Sequence, residues 1–148
     1  MLDVGWWLSD VGRRRRAVGL TGLSTDRNLA RPDLKEPPMI FIAAKFRVLP
    51  QDADRWPEIV AEFTEATRSE PGCLWFDWSR SLADPTEYVL IEAFRDDEGA
   101  AAHVHSDHFN TAQQTLPPHL VETPHIINFK LEQSDWSRLG ELAVPERG

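Results

Sequence analysis

The chain has 148 residues, 41% of them hydrophobic, with six tryptophans, so a single domain with a real core is the natural reading. A formal net charge of −8 argues against nucleic acid or an anionic membrane surface as the main partner. A lone cysteine, Cys73, excludes an internal disulfide framework and fits a reducing, cytoplasmic setting. No apolar run approaches the roughly 20 residues needed to span a bilayer.

The charge is uneven. Residues 1–38 carry seven Arg/Lys against five Asp/Glu, and residues 39–148 carry nine against nineteen. The first segment keeps no helical or alternating period and ends in Pro37-Pro38. Its run Arg13–Arg16 precedes an apolar stretch that glycines interrupt, with no small-residue cleavage site after it, so a secretory or twin-arginine signal does not fit. Residues 1–38 are therefore read as a flexible N-terminal extension, 39–132 as the folded domain and 133–148 as a tail.

From residue 39 the elements follow in order. "MIFIAAKFRVL" (39–49) alternates Ile40, Ile42, Ala44, Phe46 and Val48, the period of a strand. A helix should follow, capped by Asp52 or Asp54, with Pro57 in its first turn and a stripe of Trp56, Ile59, Val60, Phe63 and Ala66. Glu70-Pro71-Gly72 stops it. "CLWFDWSRSL" (73–82) predicts a second strand with Leu74, Phe76 and Trp78 on one face and Trp75 and Asp77 on the other. The turn "ADPT" leads into a third strand, "EYVLIEAF" (87–94). Two helical segments follow, about 96–104 and 106–116, with Ser106 able to cap the second; Pro117-Pro118 ends them. "PHIINFKLE" (124–132) is the last strand, and the tail offers a short helix through Trp136, Leu139 and Leu142.

Strand, helix, strand, strand, helix, strand is the ferredoxin-like α+β order. It places helices on one sheet face only, and apolar residues on both faces of 74–78 imply that the other face is covered. A second copy of the chain is the simplest cover, so a homodimer is expected.

"AAHVHSDHF" (101–109) puts His103, His105 and His108 within six positions. On a continuous helix, 103 and 105 point about 200° apart and 103 and 108 about 140° apart. Such spacing scatters ligands, so no metal is expected. Two readings stay open: polar groups lining a pocket, or structural histidines at a helix junction. Glu92 likewise either pairs with Arg80 or Arg47 or faces a pocket. Cys73 reads as a small buried residue, not a nucleophile.

The ordered set Pro71-Gly72-Cys73, Asp84-Pro85, Glu92-Ala93-Phe94 and His103…Ser106…His108-Phe109 resembles the antibiotic biosynthesis monooxygenase domain family, over roughly residues 39–132. The resemblance implies a ferredoxin-like βαββαβ sandwich whose dimer forms an α+β barrel. It also implies oxygenation of a quinol or polycyclic aromatic phenol by O₂ without metal, flavin or haem. His103, His108 and Glu92 would then supply base and hydrogen bonds. Phe46, Trp75, Phe76, Trp78, Phe94 and Phe109 would supply the pocket walls. Haem-degrading members use an Asn, a Trp and a His where this chain has Phe46, Phe94 and Gln113, so that activity is not implied. A small-ligand-binding or isomerase-type dimer of the same fold is the alternative.

Overall fold

The computed structural model describes residues 35–148, so the reading of 1–38 as a flexible extension falls outside the described residues up to position 34. Four strands form one antiparallel sheet: β1 (Met39–Arg47), β2 (Cys73–Arg80), β3 (Glu87–Phe94) and β4 (His125–Leu131). Their spatial order is β2-β3-β1-β4, the ferredoxin-like arrangement. The helices are α1 (Trp56–Ile59), α2 (Ala61–Arg68), α3 (Asp97–Val104) and α4 (Asp107–Thr115).

Alternation in β1 turns Ile40, Ile42 and Ala44 toward the helices, where all three are buried. Register then builds rows across the inner face. Phe76, Glu92, Ile42 and Asn128 lie side by side in one row; Cys73, Phe94, Ile40 and Lys130 form another. Each row crosses all four strands.

Three expectations about the elements need correction. The first helix is broken: a 3-10 turn (Ala53–Arg55) and α1 precede α2, with the junction at Val60. Asp52 does not cap it, and instead accepts a hydrogen bond from His119 Nδ1 at 2.8 Å. The break rotates the stripe, so Thr64 and Thr67 are buried where Ala66 is only half-buried; Thr67 returns its hydroxyl proton to the Phe63 carbonyl. In β2, a bulge between Cys73 and Trp75 leaves Leu74 unpaired and exposed, and Cys73 takes the inward place assigned to it. The tail helix is reduced to one 3-10 turn, Gly140–Leu142, although Trp136 does lie against Trp75 at 5.7 Å between ring centroids.

The two segments of the second helical region stand as expected. Asp96 caps α3 by accepting from Gly99 N at 2.8 Å, and Ser106 caps α4 by accepting from Phe109 N at 3.2 Å.

The turn before β2 meets the start of α3 without side chains in between. A Cβ built on Gly72 would lie 2.5 Å from the Gly99 Cα, and Arg95 N donates to the Gly72 carbonyl at 2.8 Å. Gly72→Ala should therefore lower stability by roughly 1–3 kcal/mol, the usual cost of forcing atoms into a closed contact. Urea unfolding at neutral pH checks this. An unchanged midpoint would mean that the two backbones separate freely.

Candidate active site

Between the inner sheet face and the helices lies a cavity of about 240 Å³. Its floor is apolar, from Ile40, Ile42, Ala44 and Leu90, and its walls include Phe46, Phe63, Phe76, Phe94 and Phe109. The helices cover β2, β3 and β1, while β4 flanks the opening with Ile126, Asn128 and Lys130. Lys130 Nζ reaches Asp97 Oδ2 of α3 at 3.0 Å, a strap beside that opening.

Two buried ionisable groups face this apolar space. Glu92 is buried in the middle of the sheet, and His103 is buried on α3, its ring stacked on Phe94 at 4.8 Å. Burial raises the Glu92 carboxyl to about 8, with the nearby Glu70 charge adding to the effect. Burial also lowers His103 below its ordinary value, against the opposing pull of Glu70. At neutral pH Glu92 is thus mainly a protonated acid and His103 a neutral imidazole. His103 Nε2 and Glu92 Oε2 stand 4.0 Å apart, too far for a hydrogen bond and open to a group placed between them.

The other side of the His103 ring explains its orientation. Nδ1–H donates to Glu70 Oε1 at 2.8 Å, and since a carboxylate oxygen only accepts, the proton sits on Nδ1 and Nε2 keeps its lone pair. His108 Nε2 bonds the same oxygen. The helix break makes this convergence possible. Ser106 Oγ donates to the His103 carbonyl at 2.6 Å while capping α4, so the chain turns between the two histidines and their rings come within 6.0 Å. His105, by contrast, is exposed and donates from Nδ1 to the Ala101 carbonyl at 2.7 Å.

Six of the nine residues expected at the site do line the cavity: Glu92, His103, Phe46, Phe76, Phe94 and Phe109. His108 stands behind His103, outside the lining. Trp75 is on the outer sheet face beside Trp136. Trp78 packs with Trp56 and Phe46 and donates from Nε1 to Thr64 Oγ1 at 3.0 Å, closing the end of the core. The arginine partners considered for Glu92 are engaged elsewhere, Arg80 with Asp54 and Arg47 with Glu122.

A model of the family described as antibiotic biosynthesis monooxygenase matches residues 39–115. The chain belongs to the antibiotic biosynthesis monooxygenase family. A Nitrosomonas europaea structure, provisionally named for the same family, is 26% identical, with a TM-score of 0.60 over 64% of this chain and 90% of that one. A conserved Methanosarcina mazei protein is similar in fold, with a TM-score of 0.61 at 23% identity over 66% of this chain and 96% of that one. An uncharacterised Synechocystis protein is 21% identical over 64% of this chain, and the match spans 65% of that relative's length. No helix among the described residues is long and apolar enough to cross a membrane.

In this monooxygenase-family chain, spacing alone missed Glu70, Asn128, Gln113 and Lys130. Asn128 and Lys130 share the strand phase of Ile126, which places them inward; in the sequence Glu70 signals only a helix stop. Spacing also misjudged how far apart the histidines lie. Donor atoms of Glu70, His103 and His108 fall within 4.8 Å of one another, the reach of a metal site. Yet Glu70 Oε1 itself stands at hydrogen-bonding distance from both nitrogens, so mutual hydrogen bonds fill the centre of the set.

The raised Glu92 value has a sign that can be tested. Its folded form holds a proton more tightly than the unfolded chain, so its contribution is full below about 4.5 and declines as pH rises toward about 8. The depressed His103 acts oppositely, with a contribution lost as pH falls below 6.5. Between pH 6.5 and 8 the carboxyl therefore dominates. Across that window Glu92→Gln should gain on the wild type by at least about 1 kcal/mol, near the worth of one pKa unit. Urea unfolding at both ends is the measurement; a constant difference would place Glu92 ionised throughout.

Proposed function

We propose that the protein is a cofactor-independent monooxygenase acting on a quinol or aromatic phenol with O₂. The observation that carries this reading is His103 Nε2, with Nδ1 bonded to Glu70, standing 4.0 Å from the Glu92 carboxyl in an apolar cavity. His103 Nε2 takes the substrate hydroxyl proton, and the Glu92 O–H donates a hydrogen bond to the anion formed. The electron-rich anion passes one electron to O₂, and the resulting radical and superoxide combine as a peroxide. For a quinol with a free ring position, loss of water then yields the hydroxyquinone. One oxygen atom enters the product, the other leaves as water, and the substrate's own four electrons reduce the O₂. A volume near 240 Å³ lies below the usual ligand range of about 300–1,000 Å³ and favours one or two rings over larger polyketides.

Reduced menadione is the probe. O₂ uptake should fall by roughly 10²–10⁴-fold in His103→Ala, the worth of a positioned acid/base group, and remain near wild type in His105→Ala. Binding of the probe with no uptake by the wild type would favour a ligand-binding protein of the same fold and end the monooxygenase reading.

The same reading includes a homodimer joined through the outer sheet face. Ile127 and Phe129 are 59% and 51% exposed there, next to half-buried Phe41, Ala43 and Ile91. Light scattering on the full chain should give twice the monomer mass of 16.9 kDa. Ile127→Lys with Phe129→Lys should yield a folded monomer; a wild-type monomer rejects the interface.

A further inference from the structure

The cavity explains where a substrate proton goes first and not where it goes next. His103 is 3% exposed and cannot hand a proton directly to bulk water through its Nδ1 side, because Glu70 closes that side. Glu70 is itself nearly buried, with a side-chain exposure of 12%, and among the described residues it pairs with no lysine or arginine. Its charge is met by two imidazoles alone. A buried carboxylate needs a charged partner, and either imidazole is in place to be one. The two are not equivalent. His108 has a side-chain exposure of 25% against 4% for His103, and a surface groove lined by Glu70, Arg95, Glu98 and Ser106 reaches the carboxylate they share.

We propose that His103, Glu70 and His108 form a proton outlet from the cavity to the solvent on the helix side. It rests on the reading of His103 as the base. When Nε2 of His103 takes the substrate proton, His108 releases one from Nδ1 to water, and Glu70 keeps a single positive charge paired throughout. One proton enters and one leaves, and the cluster's net charge does not change. After turnover the unit resets by the reverse exchange or by proton delivery to the peroxide. Glu70 thereby acts as a positioning residue: it holds the His103 tautomer and couples its charge to that of a histidine the solvent can reach.

The groups that face His103 are Glu92 from β3, Glu70 from the turn before β2, and His108 from α4. Phe63, Phe76, Phe94 and Phe109 enclose the rest of the ring. Lys130 on β4 also lines the cavity and is held by Asp97. The competing route is therefore the open mouth beside β4, and the experiment must separate the two.

Full-length wild type, His108→Gln, His108→Ala and Glu70→Gln are compared for O₂ uptake with reduced menadione in weakly buffered solution. His108→Gln keeps an N–H for Glu70 but cannot exchange a proton. It should lose about 10²-fold in kcat, the low end for a positioned proton-transfer group, with KM unchanged. A purely structural His108 would instead be rescued by glutamine. Added imidazole should restore His108→Ala toward wild type. Wild-type turnover in both His108 variants without added imidazole would overturn the outlet and assign the proton to the β4 mouth.

Nitrogen-15 NMR of the imidazoles gives a readout independent of any substrate. Removing His108 should move the His103 titration up and Glu70→Gln should move it down, because His108 disfavours and Glu70 favours the charged His103 ring. An unmoved His103 in both variants would also overturn the proposal. If the wild type consumes no O₂ but the His103 shifts appear, the coupling stands and the oxygenase reading alone is lost. Zinc titration completes the set: displacement of both ring protons by stoichiometric metal at micromolar concentration would replace the outlet with a metal site.

Discussion

The backbone contact between Gly72 and Gly99 determines where everything else in the site can be. Gly72 ends the turn into β2, and Gly99 lies in the first turn of α3. With no side chain between them, the two segments touch. Glu70 sits two residues before one glycine, and His103 sits one helical turn after the other, on the same face. Their hydrogen bond is the side-chain consequence of that touching. A Cβ at Gly72 would lie 2.5 Å from the Gly99 Cα and press α3 away from the Glu70 carboxylate, whereas one at Gly99 would meet the Gly72 Cα at 3.0 Å.

The second determinant is the helix break at Ser106. A continuous helix would have sent His103 and His108 in different directions, and the angular argument from spacing was sound for that case. Ser106 changes it by serving both segments, donating to the end of α3 and accepting from the start of α4. The histidines then approach Glu70 from two helices. Electrostatics follow from this geometry: Glu70 is a negative charge close to both Glu92 and His103, raising the first and partly offsetting the burial that lowers the second.

Much of the fold was legible in the sequence because period-two and helical patterns report burial directly. The four strands, the antiparallel hairpin 73–94 and the Ser106 cap could all be read from the residues. What could not be read were places where one residue shifts a phase. The bulge at Leu74 exchanged the facing of Leu74 and Cys73, and the Val60 junction moved burial onto Thr64 and Thr67. The site was legible in part. His103 and Glu92 stood out by type and place, but Glu70 lies 33 residues from His103 in the chain, and only tertiary contact joins them. Trp75 and Trp78 had the right chemistry for pocket walls, and the strand's alternation together with the packing of α1 sent them elsewhere.

The bulge at the start of β2 has a bearing on solubility. β2 is an edge of the sheet, so among the described residues no further strand pairs with its outer row of backbone amides and carbonyls. A long, flat edge rich in Leu, Trp and Phe would be a template on which further strands could add. Leu74 interrupts the regular spacing of that row at its apolar end, and Asp77, held by Arg68 from α2 at 3.2 Å, places charge at its middle. The same irregularity that turned Cys73 inward thus guards the sheet against growing into a fibre.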